Sequence, residues 1–555
     1  MRISSIEWMQ EKSYLHEWKV NIIGAGLAGL SAALELSKAG IGSRLISVQT
    51  SERAQSNLAE GGINACLNVM GEEDHVWEHF ADTLKGGCDL ADPNMAAGLC
   101  LAAPSIIDDL LSYGVPFQRE KGKLIQRNFG GQKKKRTTYV KSSTGKMITA
   151  AMIDAVRRYE CEGLVERFPH HEFARLVIED GICKGVLVKD QYRGEALQMA
   201  GPVILCVGGM NGLFRGKTTG STANTGSAAA VLFAQGVEMA NLEMVQYHPT
   251  TVQIAGKRML ISEAARGEGG RLFYYSEGGE GTQDGKIWFM EDKYGERGNL
   301  MPRDVVSREM AACGKQVYLD LTGLPAAAWE HKLSDLRAEI QHYLAIDPAK
   351  EPVPVAPGIH FFMGGIHIDE SHRTNVPGVY AAGECACGYH GANRLGGNSL
   401  LAAIYGGKIA AGQAVREEKE AAPADDILTD LQSDRADDEI AAILIRSLPV
   451  LRRQTELEEG LSQMRDYKKT LSRDSLSYCK AVLAEAILMS AAERKESRGA
   501  HYVAEYPDRM EAYRKTSVAS FDGEKVQLRL AEIPSLRAEM KDRLYPANVS
   551  GGESL

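Results

Sequence analysis

Histidine, hydroxyl and arginine side chains recur in a series of short motifs between residues 246 and 401. These motifs are Gln246-Tyr247-His248-Pro249-Thr250, Ile261-Ser262-Glu263-Ala264-Ala265-Arg266-Gly267-Glu268-Gly269-Gly270, Met301-Pro302-Arg303-Asp304-Val305-Val306-Ser307, Gly358-Ile359-His360-Phe361-Phe362-Met363-Gly364-Gly365 and Gly391-Ala392-Asn393-Arg394-Leu395-Gly396-Gly397-Asn398-Ser399-Leu400-Leu401. A forked guanidinium such as that of Arg394, with histidine and hydroxyl donors beside it, can clamp and twist a molecule that carries two carboxylates. One histidine alone is more often structural, but an ordered series of motifs favours a binding site.

A glycine-rich turn near the N-terminus predicts a nucleotide site. An apolar strand from Lys19 to Ile23 is followed by Gly24-Ala25-Gly26-Leu27-Ala28-Gly29 and then by a helical pattern that runs to Leu36. Glycines in this strand–turn–helix context let the backbone approach a dinucleotide pyrophosphate at the N-terminus of the helix. The next strand ends at Ser47-Val48-Gln49, where a plain NAD site would carry an acid for the ribose.

Later segments supply further strands for the same sheet. The segments 202–209 and 378–384 are apolar runs that end at glycine or just beyond it. Because they lie far apart in the sequence, we predict an α/β fold with a Rossmann-like domain assembled from discontinuous segments. The glycine run before Asn398 opens a small-residue helix, whose free N–H groups and positive dipole end suit an anionic group.

Composition divides the rest of the chain. Residues 243–355 are rich in turn signals and lack the alternating strand–helix pattern, which predicts an inserted α+β capping domain. The nucleotide-binding domain then comprises residues 18–242 and 356–423. Residues 424–555 are charged, helix-forming and poor in glycine, which predicts a helical C-terminal domain.

Charge and hydropathy exclude several classes of function. The net charge of -9 gives no overall attraction for nucleic acid, so we expect no nucleic-acid partner. The longest apolar run, around Met95 to Ile107, is shorter than the ~18 residues of a membrane span and is followed by Asp108-Asp109. The N-terminus has acids where a signal peptide has an apolar segment, which predicts a cytoplasmic protein.

The ten cysteines do not form a recognisable metal motif. The closest pair, Cys385 and Cys387, has one intervening residue rather than two. We therefore expect reduced thiols and no metal site in the chain. If the protein exchanges single electrons with an iron–sulfur cluster, a partner subunit must carry that cluster.

Residues 53–65 carry the most specific signal of the chain. They read Arg53-Ala54-Gln55-Ser56-Asn57-Leu58-Ala59-Glu60-Gly61-Gly62-Ile63-Asn64-Ala65. This segment resembles R-S-H-T-x-A-A-[QE]-G-G-I-N-A of succinate dehydrogenase and fumarate reductase flavoprotein subunits, whose histidine bonds covalently to FAD. The resemblance extends from about residue 18 to the Glu496-Ser497-Arg498-Gly499-Ala500-His501 motif. An amide nitrogen is a poor nucleophile, so Gln55 implies FAD that is held without a covalent bond and has a lower potential.

The resemblance implies a cofactor site and a substrate site. The cofactor contacts are expected at Gly24, Ala25, Gly26, Gly29, Ser47, Gln55, Ser56, Gly61, Gly62, Ser227, Glu384, Asn398, Ser399 and Leu400. Among them, Glu384 resembles the contact to the FAD ribose, and Ser227 departs from the family's usual T-G-D-G.

The resemblance also assigns roles in the interconversion of fumarate and succinate. His248 and Ser262 would hold one carboxylate, and His360 and Arg394 the other, with Phe129 beside them. Hydride would pass from flavin N5 to one vinylic carbon, and Arg303 would protonate the other, with Glu263 and Arg266 as its relay to water. The guanidinium pKa lies above ~12, so such an acid works through resupply and by placing positive charge where negative charge develops.

Several alternatives stay open. L-aspartate oxidase usually has R-E-G-G where this chain has Arg127-Asn128-Phe129-Gly130-Gly131, and Phe129 cannot recognise an ammonium group. Reduction of another unsaturated acid and a non-catalytic flavin-binding module are further alternatives. The favoured interpretation is a flavoprotein subunit that works in the reductive direction. It would have an iron–sulfur partner subunit and would be attached to the inner face of the membrane through an anchor subunit. The run Lys133-Lys134-Lys135-Arg136 is either a solvated loop or a steering patch.

Overall fold

The computed structural model describes residues 14–15, 17–416 and 437–545. The α-helices of these ranges are Leu27–Lys38 (α1), Val76–Gly86 (α2), Pro93–Ser112 (α3), Thr144–Cys161 (α4), Ser227–Ala234 (α5), Glu263–Gly267 (α6), Phe289–Tyr294 (α7), Arg303–Ala312 (α8), Ala326–His331 (α9), Ser334–Leu344 (α10), Asn398–Ala414 (α11), Asp437–Ser447 (α12), Gln454–Lys468 (α13), Leu476–Glu493 (α14) and Ala538–Leu544 (α15). The strands are Tyr14–Leu15 (β1), Val20–Ile23 (β2), Ser43–Ser47 (β3), Ile63–Asn64 (β4), Arg119–Glu120 (β5), Lys123–Leu124 (β6), Gln126–Arg127 (β7), Thr137–Thr138 (β8), Val165–Pro169 (β9), His171–Glu179 (β10), Ile182–Asp190 (β11), Ala196–Ala200 (β12), Val203–Leu205 (β13), Met239–Ala240 (β14), Val245–Ile254 (β15), Lys257–Leu260 (β16), Arg271–Tyr275 (β17), Lys286–Ile287 (β18), Val317–Asp320 (β19), Val353–Phe362 (β20), Gly365–His367 (β21), Val379–Ala381 (β22), Ala386–Cys387 (β23), Lys515–Phe521 (β24) and Val526–Glu532 (β25).

A parallel sheet with the order β22-β13-β2-β3-β9 forms the nucleotide-binding part. Three of its strands, β2, β13 and the edge strand β22, come from residues near 20, 203 and 379, so the sheet is built from segments that lie far apart in the sequence. Strands β2 and β3 and helix α1 lie where the sequence predicted them. Because the carboxyl ends of parallel strands share one edge, the loops after β2, β3, β13 and β22 converge there.

Helix α11 packs closely on α1 beneath this edge. A Cβ added to Gly407 would lie 2.3 Å from the carbonyl oxygen of Ala28, so only glycine allows this approach. The hydroxyl of Ser31 donates to the carbonyl oxygen of Ile404 at 2.7 Å. The glycine run that opens α11 is thereby brought beside the Gly24 turn.

The segment between β15 and β20 forms a second sheet with the order β16-β15-β20-β19-β17-β18, covered by helices α6 to α10. All of its strand pairs are antiparallel. Its own apolar core includes Leu272, Val306, Leu319, Trp329 and Ile340. This mixed content agrees with an inserted α+β segment. The predicted limit at residue 355 falls inside β20, because this strand runs on without interruption toward the cleft.

The C-terminal region is only partly helical, so the prediction of a helical domain was incomplete. Helices α12, α13 and α14 are present, but β24 and β25 form an antiparallel hairpin that extends the sheet β23-β21-β14-β24-β25. Two alternating runs flank Asp522-Gly523, which is a hairpin signal that the prediction overlooked because it relied on the charged composition of the whole region. The predicted boundary between residues 423 and 424 lies outside the described residues.

Helix α3 contains the apolar run around Met95 to Ile107. It is long and apolar enough to cross a membrane by length and composition, but 56% of its most apolar window is buried inside the molecule. Its Met95, Leu99 and Ile106 belong to the main apolar core. Burial against α11 and α15 accounts for its apolar sequence.

Candidate active site

The turn after β2 has the geometry that the glycine motif predicts. Gly24 has a φ of 113°, and a Cβ there would lie 2.1 Å from the carbonyl oxygen of Cys206. A Cβ at Gly29 would lie 1.9 Å from the carbonyl oxygen of Gly24. Gly26 is the N-cap of α1 and offers no side chain to cap it, and the N–H of Leu27 donates to the Ser56 hydroxyl. The helix N-terminus is therefore open to an anionic group.

One long cleft runs from this turn to the inserted sheet. Of the fourteen predicted cofactor contacts, the twelve that line it are Gly24, Ala25, Gly26, Ser47, Gln55, Ser56, Gly61, Gly62, Ser227, Glu384, Ser399 and Leu400. The predicted substrate residues that line its other end are Phe129, His248, Ser262, Glu263, Arg303, His360 and Arg394. The structure therefore gathers residues from widely separated motifs into a single cavity.

Two of the predicted cofactor contacts do not line the cleft. Gly29 lies within α1, where its missing side chain lets the helix approach the turn. Asn398 is fully buried behind the glycine run: its Oδ1 accepts from Asn64 at 2.8 Å and contacts the Nε2 of His79 at 3.0 Å. Asn398 supports the start of α11 and leaves the wall of the cleft to Ser399 and Leu400.

Three polar side chains near the cofactor end have defined partners. Glu384 accepts from the N–H of Phe362 at 3.2 Å, and burial raises the pKa of Glu384 to about 7. The hydroxyl of Ser47 donates to the carbonyl oxygen of Gln49 at 2.6 Å. Ser227 starts α5 and lies 2.9 Å from the hydroxyl of Thr225. These three positions place oxygen atoms along the predicted path of a dinucleotide.

Arg303 and Glu263 form an ion pair at the other end of the cleft. Arg303 donates through Nε and Nη2 to Glu263 Oε2, each at 3.0 Å. The N–H of Gly130 donates to Glu263 Oε1 at 2.8 Å. Burial opposes ionisation of Glu263, but Arg303, Arg266 and the Gly130 N–H outweigh it, so the pKa of Glu263 lies below its usual value. Glu263 is therefore a carboxylate at neutral pH.

Arg266 lies behind this pair and does not line the cleft. Its Nη1 donates to the carbonyl oxygen of Asn299, while its Nε and Nη2 are buried without a partner in the described part of the chain. Arg394 has a similar deficit, since its Nε is buried and unpartnered among the described residues. Burial and the nearby charge of Arg303 hold the pKa of Arg394 well below its usual range.

His248 and His360 face each other with ring centroids 5.2 Å apart. Burial, reinforced by the charge of Arg303, holds the pKa of each well below its usual value, so both rings are neutral. The Nδ1 of His248 lies 3.2 Å from the carbonyl oxygen of Thr250, which can only accept, so this nitrogen carries the hydrogen. The Nδ1 of His360 lies 2.9 Å from the hydroxyl of Thr219.

Sequence reasoning missed three groups that organise this end of the cleft. Gln246 is fully buried, and its Oε1 accepts from Arg303 Nη1 at 3.1 Å and from Arg394 Nη2 at 3.3 Å. Gln246 and Gly130 stand inside motifs that the sequence already singled out, so their motifs pointed to them without giving a role. Thr219 gave no local signal, because only the fold brings it to His360.

The basic run at residues 133–136 is partly structural. Arg136 is fully buried between Asp74 and Asp82, with ion pairs of 2.8 Å to each. Lys134 donates through Nζ to the carbonyl oxygen of Glu72 at 2.6 Å. This pairing favours the interpretation as a loop over that of a steering patch.

Comparisons with known proteins agree with this geometry. The model of the FAD binding domain matches residues 19–400, and that of the fumarate reductase flavoprotein C-terminus matches residues 479–545. The succinate dehydrogenase flavoprotein subunit of Bacillus subtilis is 35% identical over 551 residues, covering 90% of this chain and 93% of the relative. The chain belongs to the succinate dehydrogenase and fumarate reductase flavoprotein family.

Other members and neighbours of this flavoprotein family show how wide it is. L-aspartate oxidase 2 of Ralstonia nicotianae is 34% identical over 536 residues, covering 91% of this chain and 94% of the relative. A variant of the E. coli quinol fumarate reductase FrdA superposes with a TM-score of 0.84 at 25% identity, covering 98% of this chain and all of that chain. The family therefore establishes the fold and FAD as the cofactor, while the residues of the cleft must select the substrate.

The cleft fits the family's FAD. The bare glycine turn at the N-terminus of α1 suits the pyrophosphate, Glu384 suits a ribose hydroxyl, and the first turn of α11 presents free N–H groups at Ser399 and Leu400. Gln55 lies in the cleft where the flavoprotein subunits carry histidine, and its Oε1 accepts from the N–H of Ser221.

Proposed function

We propose that the chain is the flavoprotein subunit of an enzyme that interconverts fumarate and succinate, with fumarate reduction as its favoured direction. The charge balance at the substrate end of the cleft carries this proposal. The guanidiniums of Arg266, Arg303 and Arg394 act on a single ionised carboxylate, Glu263. The next acid, Glu384, has its pKa raised to about 7. This surplus of positive charge, buried and short of acceptors, matches a dicarboxylate.

The chain's own residues bind and orient the substrate. The unpartnered Nε of Arg394 and the ring of His360 would hold one carboxylate. Ser262 accepts from the N–H of Ala264 as the N-cap of α6, which leaves its O–H to donate to the second carboxylate. His248 would join this contact after taking up a proton, which a nearby carboxylate favours.

Proton delivery falls to Arg303. FAD, when bound, supplies or accepts the hydride. The guanidinium of Arg303 lies between Gln246 and Glu263, so it can hold a proton toward the cleft and be resupplied through the Glu263 carboxylate. Arg266 lies behind Glu263 with two unpartnered N–H groups and would complete this route.

The reductive direction rests on Gln55. A histidyl bond withdraws electrons from the flavin and makes it easier to reduce, and glutamine cannot form that bond. We therefore expect a lower potential, which favours giving hydride to fumarate over accepting it from succinate. Acid precipitation should release all FAD from the polypeptide; flavin fluorescence that stays with the denatured chain would refute non-covalent binding.

We further propose an iron–sulfur partner subunit and a membrane anchor subunit, which would hold this chain on the inner, cytoplasmic face of the membrane. Its named relatives include flavoprotein subunits of succinate dehydrogenase. The described residues contain no group of His, Cys, Asp and Glu suited to a metal ion. Native co-purification should yield an iron–sulfur polypeptide, and its absence from a fully active preparation would refute the subunit assignment.

L-aspartate oxidase is the second candidate, because one relative carries that name. Phe129 argues against it: the ring is buried at the substrate end, packed beside Gly61 and 5.3 Å from the guanidinium of Arg127. The Phe129 ring itself offers no anion to an ammonium group. The deciding experiment compares fumarate with reduced viologen, succinate with an oxidised dye, and L-aspartate on one preparation. We expect fast fumarate reduction, slow succinate oxidation and no aspartate oxidation; an equal succinate rate would overturn the direction.

A further inference from the structure

We propose that Asp304 and Asn393 are positioning residues that set the orientation of the Gln246 amide and thereby the places of Arg303 and Arg394. Neither residue lines the cleft, and neither belongs to the predicted site. The inference rests on the proposed function only in that its readouts are the binding and turnover of a dicarboxylate.

Four hydrogen bonds join these residues in one chain. Asn393 Nδ2 donates to Asp304 Oδ1 at 3.0 Å, and Gln246 Nε2 donates to Asn393 Oδ1 at 2.7 Å. Gln246 Oε1 then accepts from Arg303 Nη1 at 3.1 Å and from Arg394 Nη2 at 3.3 Å. Gln246 is fully buried and Asn393 is 4% exposed, so water does not compete for these groups.

The two ends of this chain fix its polarity. A carboxylate only accepts hydrogen bonds and a guanidinium only donates them, whereas each amide can point either way. With Asp304 at one end, Asn393 must turn its NH₂ toward it and its oxygen toward Gln246. Gln246 must then turn its oxygen toward the two guanidiniums, and its NH₂ also donates to the carbonyl oxygen of Arg394 at 3.0 Å.

The opposite orientation would place the Gln246 NH₂ against two guanidiniums. Donors would then face donors in a buried space, and each unsatisfied group there costs free energy. Arg303 and Arg394 repel each other, and only a shared acceptor holds both beside the substrate position without cancelling their charge. A neutral amide oxygen does this, whereas a carboxylate at position 246 would cancel one of the positive charges.

Asp304 is itself held by a contact outside the cleft. Its Oδ2 accepts from Arg308 Nη1 at 2.9 Å, and the same nitrogen donates to the carbonyl oxygen of Gly499 at 3.0 Å. The N–H of Ala500 donates to the carbonyl oxygen of Ala392, one residue before Asn393. The motif that begins at Glu496 therefore supports the loop that carries Asn393 and Arg394, on the side away from the cleft.

The Asp304–Asn393 contact also acts through the backbone, because each of the two residues is next in sequence to one of the arginines. Asp304 follows Arg303 at the start of α8, and Asn393 precedes Arg394 in the glycine run. The hydrogen bond thus ties the backbone of the proposed proton donor to the backbone of the proposed carboxylate clamp. One contact sets both the spacing of the two arginines and the orientation of their shared acceptor.

A swap of the two residues tests the proposal. In Asp304→Asn the amides of Asn393 and Gln246 are free to reverse their orientation. In Asn393→Asp the new carboxylate faces that of Asp304 and repels it. Each single variant should therefore lower kcat/KM for fumarate by about tenfold or more. The double variant Asp304→Asn/Asn393→Asp restores an acceptor for Gln246 Nε2 and keeps the net charge, so it should recover most of this loss. The exposed Gln341→Glu change in α10 is the control for an added negative charge and should have no effect.

A second background separates positioning from a general structural role. In Gln246→Met protein no amide is left to orient and only the backbone tie between the two arginines can act, so Asn393→Asp should cost clearly less than it does in the wild-type background. Malonate affinity of the FAD-loaded protein, measured by calorimetry, should weaken in both single variants and return in the double variant. FAD content should stay at the wild-type level throughout.

Three results would overturn the proposal. They are single variants with wild-type kcat/KM and malonate affinity, a double variant no better than the worse single variant, and equal losses from Asn393→Asp in the wild-type and Gln246→Met backgrounds. Wild-type protein that binds malonate but does not reduce fumarate would instead refute the proposed function, and the malonate measurements would still decide the roles of Asp304 and Asn393.

Discussion

Two buried clusters of arginine and glutamate side chains in the described part of the chain differ in the role that we assign to them. The C-terminal cluster consists of Glu243, Arg494, Glu496 and Arg498, with ion pairs of 2.6 to 3.0 Å. Its remaining guanidinium N–H groups donate to the carbonyl oxygens of Cys88, Met510, Tyr513 and Lys515. The substrate cluster consists of Arg266, Arg303, Arg394 and Glu263, and it retains unpartnered N–H groups on Arg266 and Arg394.

The difference lies in charge balance and in hydrogen-bond satisfaction. The C-terminal cluster has equal numbers of positive and negative groups, and its arginine donors all have acceptors, so it is complete without a ligand. The substrate cluster is short of negative charge and of acceptors, so it gains both when a dicarboxylate arrives. Neither burial nor a missing acceptor alone identifies a functional arginine, since Arg452 beside the C-terminal cluster is fully buried with its Nε and Nη2 unpartnered among the described residues. The substrate cluster differs because its missing acceptors coincide with a surplus of positive charge at the wall of a cleft.

The largest expected effect comes from removing the proposed acid. Arg303→Ala should lower kcat by about a thousandfold or more, because no other group in contact with Glu263 can deliver the proton. FAD content should not change, since α8 lies outside the nucleotide-binding sheet. The control is Arg337→Ala in α10, which removes a surface ion pair with Asp347 and should leave turnover intact. An Arg303→Ala enzyme with a tenth of wild-type activity would reassign the acid.

The C-terminal cluster should respond in stability instead. Glu496→Gln removes a buried charge that pairs with two arginines, and breaking such a pair costs about 3 kcal/mol of the free energy of unfolding. The measurement is thermal unfolding of the FAD-loaded protein, with kcat determined well below the Tm. A variant of unchanged Tm and impaired kcat would contradict the division between the two clusters.

A change in Arg394, the proposed carboxylate clamp, should weaken substrate binding more than it lowers kcat. Arg394→Lys keeps the charge but loses the fork and its bond to Gln246, so KM for fumarate should rise by about a hundredfold. Malonate affinity should fall by a similar factor. If KM stays constant while kcat falls, Arg394 acts in the transition state and not in the clamp.

The smallest effect is a pH dependence of binding. The free protein holds His248 neutral with its pKa well below the usual range, and a bound carboxylate raises that pKa. Binding then takes up a proton, so malonate affinity should increase as pH falls from 8 to 6, by up to about tenfold per unit. His248→Gln should flatten this slope. A slope that persists in His248→Gln would assign the proton elsewhere.

The sequence was sufficient to predict those parts of the fold and the site that depend on short local patterns. The Gly24 turn and the strand at Val379–Ala381 follow from glycine placement and apolar runs. The fourteen predicted cofactor contacts, Ser399 and Leu400 among them, came from the resemblance to the flavoprotein family, and twelve of them line one cleft.

The rest depended on contacts between distant segments. Asn398 stands in a motif but points away from the cleft, because Asn64 and His79 supply its partners from the far side of α11. Thr219 meets His360 only through the fold. The hairpin of β24 and β25 has a local signal in its alternating runs around Asp522-Gly523, but only the fold shows that it pairs with β14 and extends that sheet.

The hydrogen bond between Gln55 and the Ser221 N–H has a practical consequence for experiments. If Gln55 forms no bond to the isoalloxazine, as we propose, the prosthetic group is replaceable. Apoprotein prepared at high salt and low pH can be reconstituted with synthetic flavins that carry electron-withdrawing or electron-donating ring substituents. One polypeptide would then provide a graded series of holoenzymes, in which the driving force varies while every amino acid around the substrate stays the same.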